Sequence, residues 1–167
     1  LRQHAWNAVL STDEDGNHLL PEHHVLVPLR LVSTPDENAK EQVETAYRSL
    51  ENAYAYAHDG LLFAVGYSPA YFDRFEDVTT PIPSPEALTP MESPAFDTFH
   101  AVVHLASDHP AAVIEAEEAL FGTTESANGT EMKATLSGIF ERGAPRRTGF
   151  VGAGLPAAHT DVEGVPE

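Results

Sequence analysis

Two arginines and three glycines near the end of the sequence have the types and spacing that best suit a binding site. Glycine lets the backbone approach closely either a flat cofactor or another strand. The arginines, which are uncommon in so acidic a chain, can bind carboxylates through charge-assisted hydrogen bonds. The alternative, and the commoner explanation of such a segment, is an interdomain linker with a glycine-rich bend. The candidate binding residues are Arg146, Arg147, Gly149, Phe150, Gly152, Gly154 and His159.

The nine histidines of the sequence invite metal-ligand assignments, but their spacing argues against them. His100 and His104 fall on one face of a predicted strand, where four residues span roughly 13 Å, so they cannot share one metal ion by themselves. We expect them to be exposed or hydrogen-bonded. His23 and His24 point to opposite strand faces, and His58 fits a helix end followed by a turn. We predict no metal site among them.

Five tyrosines could relay electrons in a redox protein, but their helical and strand spacing favours packing: Tyr47, Tyr54, Tyr56, Tyr67 and Tyr71. The acidic run Asp13–Asp15 is too short for a calcium loop of the usual kind, which has about twelve residues. No catalytic residue can be assigned from these patterns.

The charge balance narrows the class of partner. The sequence has 26 acidic and 9 basic residues, a net charge of -17, and no cysteine. Nucleic acids and anionic membranes bind clustered Lys and Arg, so both are disfavoured as partners. The acidic residues are spread along the chain, which is typical of a surface adapted to high salt. Without cysteine, disulfides, thiolate metal sites and a cysteine nucleophile are excluded.

No apolar run reaches the roughly 20 residues of a membrane span. No signal peptide is recognisable either, and we expect the sequence to be a segment of a longer protein.

Hydrophobic periodicity predicts four strands and two main helices. Residues 61–67 are apolar or glycine, which is typical of a strand buried on both faces, and we expect this strand inside the sheet rather than at its edge. A short aromatic helical turn follows it. The other strands are predicted at residues 23–32, where Pro28 suggests an edge or a bulge, at residues 99–106 and at residues 134–141.

The first helix has the clearer signals. Thr34 and Pro35 mark its start, and apolar residues recur at three- and four-residue spacing from Val43 to Ala57. The second helix spans about residues 110–121, capped by Ser107 or Asp108. Residues 77–95 contain five prolines and predict a long irregular excursion.

The order strand, helix, strand, strand, helix, strand predicts an α+β fold of the ferredoxin-like, split βαβ kind. Two helices cover one face of a four-stranded antiparallel sheet, and the other face awaits a second domain, a subunit or a large ligand. We divide the chain into an N-terminal extension (residues 1–22), the ferredoxin-like domain (23–143) and a glycine-rich segment (144–167) that leads to a C-terminal domain.

Two phrases resemble dye-decolorising (DyP-type) heme peroxidases and the related deferrochelatases. LLFAVGYSPAYFDRF, residues 61–75, is similar to that family's strand and turn in its first half. HAVVHLASDHPAAVIEAEEAL, residues 100–120, is similar to its third strand and second helix. The resemblance covers roughly residues 24–155. With the acidic composition, it suggests a divergent haloarchaeal branch in the dimeric α/β-barrel-like superfamily.

The resemblance implies two ferredoxin-like domains packed together, with heme b mainly in the second. The axial histidine and a distal arginine are expected outside this chain, and Arg146 and Arg147 would meet the heme propionates. In the family a distal Asp lies in a Gly-Phe-x-Asp-Gly phrase, whereas the matching phrase here places Gly152 at that position. A glycine cannot transfer a proton, so activity through this phrase would be weak or lost, and this segment alone would be inactive.

The implied partners are the protein's own C-terminal domain, hydrogen peroxide and an organic reductant, with a homo-oligomer as a further option. Two locations remain open: the haloarchaeal cytoplasm, or outside the cell after twin-arginine export. Two functions therefore remain: the N-terminal domain of a heme peroxidase, or a non-catalytic ferredoxin-like module for ligand binding or dimerisation.

Overall fold

A computed structural model describes residues 6–80 and 82–149 of the 167-residue chain. The described part is a mixed α/β fold around one antiparallel sheet. In chain order its elements are a 3-10 turn (Trp6–Ala8), β1 (His23–Leu31), α1 (Glu37–Ala53), β2 (Leu62–Tyr67), α2 (Pro69–Phe72), β3 (Ala101–Ser107), α3 (Pro110–Leu120), β4 (Ser126–Ala127), β5 (Thr130–Glu131), β6 (Phe140–Arg142) and β7 (Arg146–Gly149).

The main sheet has the strand order β2-β3-β1, followed by β6 and β7, which both pair with β1. All of these pairings are antiparallel. This order is consistent with the predicted ferredoxin-like arrangement. Our expectation that residues 61–67 lie inside the sheet was wrong, because β2 is an edge strand with β3 as its one neighbour among the described strands. Leu62 and Phe63 are buried on opposite faces, whereas Ala64, Val65 and Tyr67 are half-buried and Gly66 is exposed, so burial of both faces is confirmed only at the start of the strand.

The fourth strand lies later in the chain than the predicted strand at residues 134–141. The sheet position beside β1 is filled first by β6 and then by β7, which pair with opposite ends of β1. Residues 136–139 form a turn instead, in which Gly138 has a φ of 81°. The segment from residue 144, which we predicted to lead out of the domain, therefore begins within the sheet.

A β-bulge at Pro28 separates β6 from β7. Three residue steps from Leu26 to Leu29 on β1 oppose four steps from Arg146 to Arg142. Pro28 has no N–H to donate, and its carbonyl accepts from the N–H of Gly143 at 2.8 Å. A Cβ on Gly143 would lie 3.0 Å from Pro28 Cγ, so the close approach requires glycine. Of the two alternatives for Pro28, an edge or a bulge, the bulge is confirmed.

The helix α1 is shorter at both ends than its sequence pattern predicts. It begins at Glu37 rather than near Pro35, because the Asp36 carboxylate accepts a hydrogen bond from the N–H of Ala39 at 2.8 Å. It ends at Ala53, whose carbonyl accepts from the Asn128 side-chain amide at 2.6 Å. The predicted apolar stripe is confirmed within these bounds, and its buried members are Ala46, Tyr47, Leu50 and Ala53.

Both long helices pack on one face of the sheet. Val25, Val27 and Leu29 of β1 belong to the same buried cluster as the inward residues of α1 and α3. The helix α3 matches its prediction closely. Its cap differs: His109 precedes it without a side-chain hydrogen bond, while Asp108 bonds elsewhere.

The opposite face of the sheet is partly covered by the chain itself. The ring of Trp6 lies 5.0 Å from that of His104, and His24 is 5% exposed. Leu26, in the middle of the same face, is 37% exposed. Between residues 77 and 99 the described residues contain no helix or strand, as predicted. None of the described helices is long and apolar enough to cross a membrane.

Candidate functional site

The two candidate arginines lie side by side on β7 and therefore point to opposite faces of the sheet. Arg147 pairs in register with Val25, on the helix-covered face, and Arg146 pairs with Leu26, on the other. From their adjacency in the sequence we predicted that the two arginines belong to one cluster. The structure separates them into two different environments.

Arg147 bonds to a buried carboxylate of the protein. Glu117 of α3 has a side chain that is 2% exposed, and each of its oxygens accepts from a different guanidinium. Arg142 Nη1 lies 2.9 Å from Glu117 Oε1, and Arg147 Nη2 bonds to Glu117 Oε2. Two cations satisfy a carboxylate that burial would otherwise strongly destabilise. To bind a cofactor carboxylate, as predicted, Arg147 would have to release Glu117.

Arg146 is the more available of the two. Its Nη2 lies 2.5 Å from Asp97 Oδ2, and both side chains are more than half exposed. A cavity of about 370 Å³ opens here, next to the bulge, with Arg30 and Phe99 in its lining. Arg30 and Arg146 could together bind a carboxylate here, in competition with Asp97 and Glu141, whose carboxylates also line the cavity.

The remaining predicted site residues add little to either environment. Gly149 pairs with His23 at the end of β7. Phe150, Gly152, Gly154 and His159 lie outside the described residues.

Two histidines that the sequence did not connect form a direct pair on the open face. His24 Nδ1 lies 2.8 Å from His104 Nε2, and His24 Nε2 lies 2.7 Å from the carbonyl oxygen of Pro21. Because a carbonyl can only accept, His24 donates from Nε2 and its Nδ1 accepts from His104. Their positions on β1 and β3 are diagonal neighbours in the register. Strand assignment from sequence does not give that register, which is why the pair was missed.

Both rings of this pair are held neutral near pH 7. Burial, with a smaller contribution from His24, lowers the pKa of His104 to about 4. Burial also lowers the pKa of His24. Trp6 covers the pair, and its buried Nε1 has no hydrogen-bond partner in the described part of the chain. The pair is a weak base and suits a packed, uncharged role.

A second histidine cluster has the connectivity of a nucleophile, a base and an acid. Ser11 Oγ lies 2.9 Å from His58 Nε2, and His58 Nδ1 lies 2.5 Å from Asp108 Oδ2. Our prediction that His58 lies at a helix end was wrong, because α1 ends at Ala53 and His58 lies in the loop that follows. Asp108 also accepts from the N–H of Glu22 at 3.1 Å. These bonds tie the N-terminal segment to that loop and to the end of β3, and we interpret the cluster as a structural fastening.

His100 is hydrogen-bonded, which was one of the two alternatives predicted for it. Its Nδ1 accepts from the backbone N–H of Leu31 at 3.0 Å, and Arg74 lies beside its other nitrogen. Burial and the charges of Arg74 and Arg30 lower the pKa of His100. Among residues 6–80 and 82–149, no group of three or more His, Cys, Asp or Glu side chains could hold a metal ion.

Four of the five tyrosines pack as expected. Tyr47 stacks on Phe63 with ring centroids 5.8 Å apart, and Tyr67 lies 4.5 Å from Tyr71. The hydroxyl of Tyr54 donates to Glu115 at 2.8 Å.

The acidic run Asp13–Asp15 lies in a turn, in which the Asp13 carboxylate accepts from the backbone N–H of Asn17 at 2.8 Å.

A sequence model for a family of unknown function, DUF7405, matches residues 21–167. The chain belongs to this family. The match includes β1 through β7 of the DUF7405 chain and leaves out the segment that carries Trp6 and Ser11. No curated protein matches the sequence.

The DUF7405 fold is similar to a solved dye-decolorizing peroxidase (DyP) from Bacteroides thetaiotaomicron VPI-5482. The two superpose with a TM-score of 0.52 and share 14% sequence identity. The match covers 84% of this chain and 43% of the peroxidase chain. At this identity the similarity establishes the fold, and this chain spans less than half the length of the peroxidase.

Proposed function

We propose that this DUF7405 chain is the N-terminal ferredoxin-like half of a longer, heme-binding protein related to DyP-type peroxidases, in a divergent haloarchaeal branch. The observation that carries the proposal is the superposition of 84% of the chain on 43% of a dye-decolorizing peroxidase. A second half of similar size would then complete the protein. Its reaction would be the peroxide-dependent oxidation of an organic reductant.

The face of the sheet opposite the helices is where the second half would pack. Leu26 is 37% exposed at the centre of this face, and Arg30 is exposed beside the bulge. Complete burial of a leucine that is 37% exposed gains about 0.5–1 kcal/mol, roughly a third of the value for a fully exposed one. Packing of a second domain here supplies that burial.

The described residues do not form a heme site by themselves. Arg147 is bonded to Glu117, and Arg146 is the one predicted propionate partner on the face that a second half would cover. We therefore propose that the axial histidine lies outside this chain, and that Phe150, Gly152, Gly154 and His159 contribute to heme binding. Heme b would supply the redox chemistry when bound, and Arg146 would orient it through a propionate.

The full-length protein tests this proposal. Expressed with heme, it should show a Soret band and oxidise a dye with hydrogen peroxide. Leu26→Glu should abolish heme retention by preventing the halves from packing, while Val32→Glu, at a residue 55% exposed beyond β1, should not. A full-length protein that stays colourless after reconstitution with hemin would refute the proposal.

A second candidate is a non-catalytic ferredoxin-like module for ligand binding or dimerisation. It is favoured by Gly152, which stands where the resemblance requires a proton-transferring aspartate. A protein that stays colourless after reconstitution with hemin, and forms a dimer through the Leu26 face, would support this candidate. Measuring heme content and oligomeric state on one preparation separates the two.

A further inference from the structure

The ring of His100, just before β3, faces N–H donors at both of its nitrogens. The backbone N–H of Leu31 points at Nδ1 from 3.0 Å. Arg74 points at Nε2 with two groups, Nε at 3.0 Å and Nη2 at 2.9 Å. A neutral imidazole carries one proton and can accept at only one nitrogen. One of the two contacts therefore joins two donors, and it needs an acceptor that the described residues do not supply.

The conflict between donors lies at Nε2. Leu31 is 5% exposed and its backbone is held in β1, so its N–H depends on Nδ1 as an acceptor. The ring proton is then on Nε2, where it meets the N–H groups of Arg74. Protonation would add a second ring donor, and it is disfavoured because burial and the charges of Arg74 and Arg30 lower the pKa of His100. An acceptor placed between Nε2 and the guanidinium would satisfy these donors together.

Arg74 and Arg30 carry positive charge that no described carboxylate neutralises. Arg30 lies across from His100, one step beyond the last pair in the register of β1 and β3. Neither arginine forms an ion pair within the described part of the chain, although Glu141 lies opposite Arg30 on β6. The described lysines and arginines that do form ion pairs are Lys40, Arg48, Arg142, Arg146 and Arg147. In a chain of net charge -17, two unpaired arginines beside one histidine indicate an anion site.

The charges and the donors define the class of anion. Two guanidinium groups carry two positive charges, which match a phosphate dianion better than a carboxylate with one negative charge. The donors belong to three separate side chains, and a tetrahedral oxyanion offers them more acceptor oxygens than a planar carboxylate. Arg74 is exposed, so a ligand can reach it from solvent.

We infer that Arg74, His100 and Arg30 form a binding site for a phosphate group, either free or in a small phosphate monoester. Nε2–H of His100 and the guanidinium of Arg74 donate to the phosphate oxygens, and Arg30 adds the second positive charge. Arg74 follows α2, which begins where the edge strand β2 ends, and its exposed side chain can shift to admit the ligand. The site requires no heme, so its test is independent of the proposed function.

Titration of the full-length, heme-free protein with inorganic phosphate tests the inference, with the ring signals of His100 followed by NMR. The titration is run at about pH 8, where phosphate is a dianion, and at constant ionic strength, which keeps charge screening the same. Phosphate should shift the His100 signals saturably, with a midpoint of about 1–10 mM. It should also raise the pKa of His100, because a bound dianion favours the imidazolium. Acetate, a planar monoanion, should bind about tenfold more weakly.

Three substitutions locate the effect. Arg74→Gln and Arg30→Gln should each weaken phosphate binding about tenfold, because each removes one positive charge from the site. Lys133→Gln is the matched control: this lysine is also unpaired, but its backbone N–H bonds to Ser49 of α1 at 3.2 Å, and the change should leave binding as it is.

The outcomes separate cleanly. Absence of a saturable shift of His100 in the wild-type protein would overturn the inference, as would acetate binding as tightly as phosphate. Equal weakening by Lys133→Gln and Arg74→Gln would overturn it too. Glycerol phosphate, titrated beside inorganic phosphate, distinguishes the two sources of the phosphate group, since the natural ligand class is the one that binds more tightly.

Discussion

At the scale of single residues, Glu117 is the charge whose environment matters most to stability. It is 2% exposed and bonded by Arg142 and Arg147. Glu117→Gln should reduce the free energy of unfolding by about 3 kcal/mol, because it leaves two guanidinium groups beside a neutral amide. Arg147→Met should cost less, since Arg142 remains, and urea unfolding measures both. The control is Arg48→Met at an exposed pair, which should change stability little; equal losses in all three variants would contradict this account.

The buried hydroxyl of Tyr47 makes the opposite prediction, because it has no hydrogen-bond partner among the described residues. A buried hydroxyl without a partner costs about 1–3 kcal/mol, so Tyr47→Phe should leave stability unchanged or raise it. Tyr54→Phe is the matched control, because that hydroxyl donates to Glu115, and its loss should be destabilising. Thermal unfolding of the two variants distinguishes these outcomes, and a lower melting temperature for Tyr47→Phe would contradict the assignment.

The histidine pair predicts how stability depends on pH. The pKa of His104 is lowered from 6.5 to about 4, so the unfolded chain binds the proton first as the solution is acidified. This group therefore lowers the free energy of unfolding as pH falls from about 6.5 to about 4. His104→Gln should flatten that part of the curve, measured by urea unfolding across this pH range. His18→Gln, at an exposed histidine, is the control and should leave the slope as it is.

At the scale of elements, Asp108 connects segments that are far apart in the chain. It bonds to His58 and accepts from the N–H of Glu22, and His58 in turn bonds to Ser11. Asp108→Asn should increase amide hydrogen exchange in residues 11–22 with little effect on β1. Asp97→Asn, which removes an exposed ion pair, serves as the comparison and should leave that exchange unchanged.

The same elements show what the sequence could and could not predict. Local signals were sufficient to locate α1 and α3, because their apolar stripes lie within single segments of the chain, although the predicted cap of each helix was wrong. The β7 part of the fourth strand was missed because its sequence, RRTG, has no apolar residue, and its pairing with β1 is not visible in its own composition. The predicted position of β2 was wrong for a related reason. An apolar run indicates burial, whereas the position of a strand at the edge or in the interior of a sheet depends on long-range pairing.

The candidate site was predictable in part for the same reason. Arg146 and Arg147 were selected together from their adjacency, whereas their separation onto two faces follows from strand alternation in a strand that was not predicted. The tyrosines were assigned to packing, which is correct for the ring of Tyr47 and left its buried, unpaired hydroxyl unconsidered.

At the scale of the whole molecule, the net charge of -17 should make stability depend on salt. Repulsion among surface carboxylates opposes folding, and raising the ionic strength from 0.1 M to 1 M shortens the screening length from about 10 Å to about 3 Å. The unfolding midpoint should therefore rise with KCl. Sucrose at matched osmolality is the control, and an equal rise in sucrose would assign the effect to solute exclusion instead of charge.

The split fourth strand has a practical consequence for anyone who shortens this protein. A chain cut after residue 143 keeps every helix and most of the core, yet it loses β7 and with it Arg147. The N-terminal half of β1 would then present unpaired N–H and C=O groups to solvent. Such groups favour pairing with another chain, and therefore precipitation. A shortened chain that keeps β7 must therefore extend at least to residue 149.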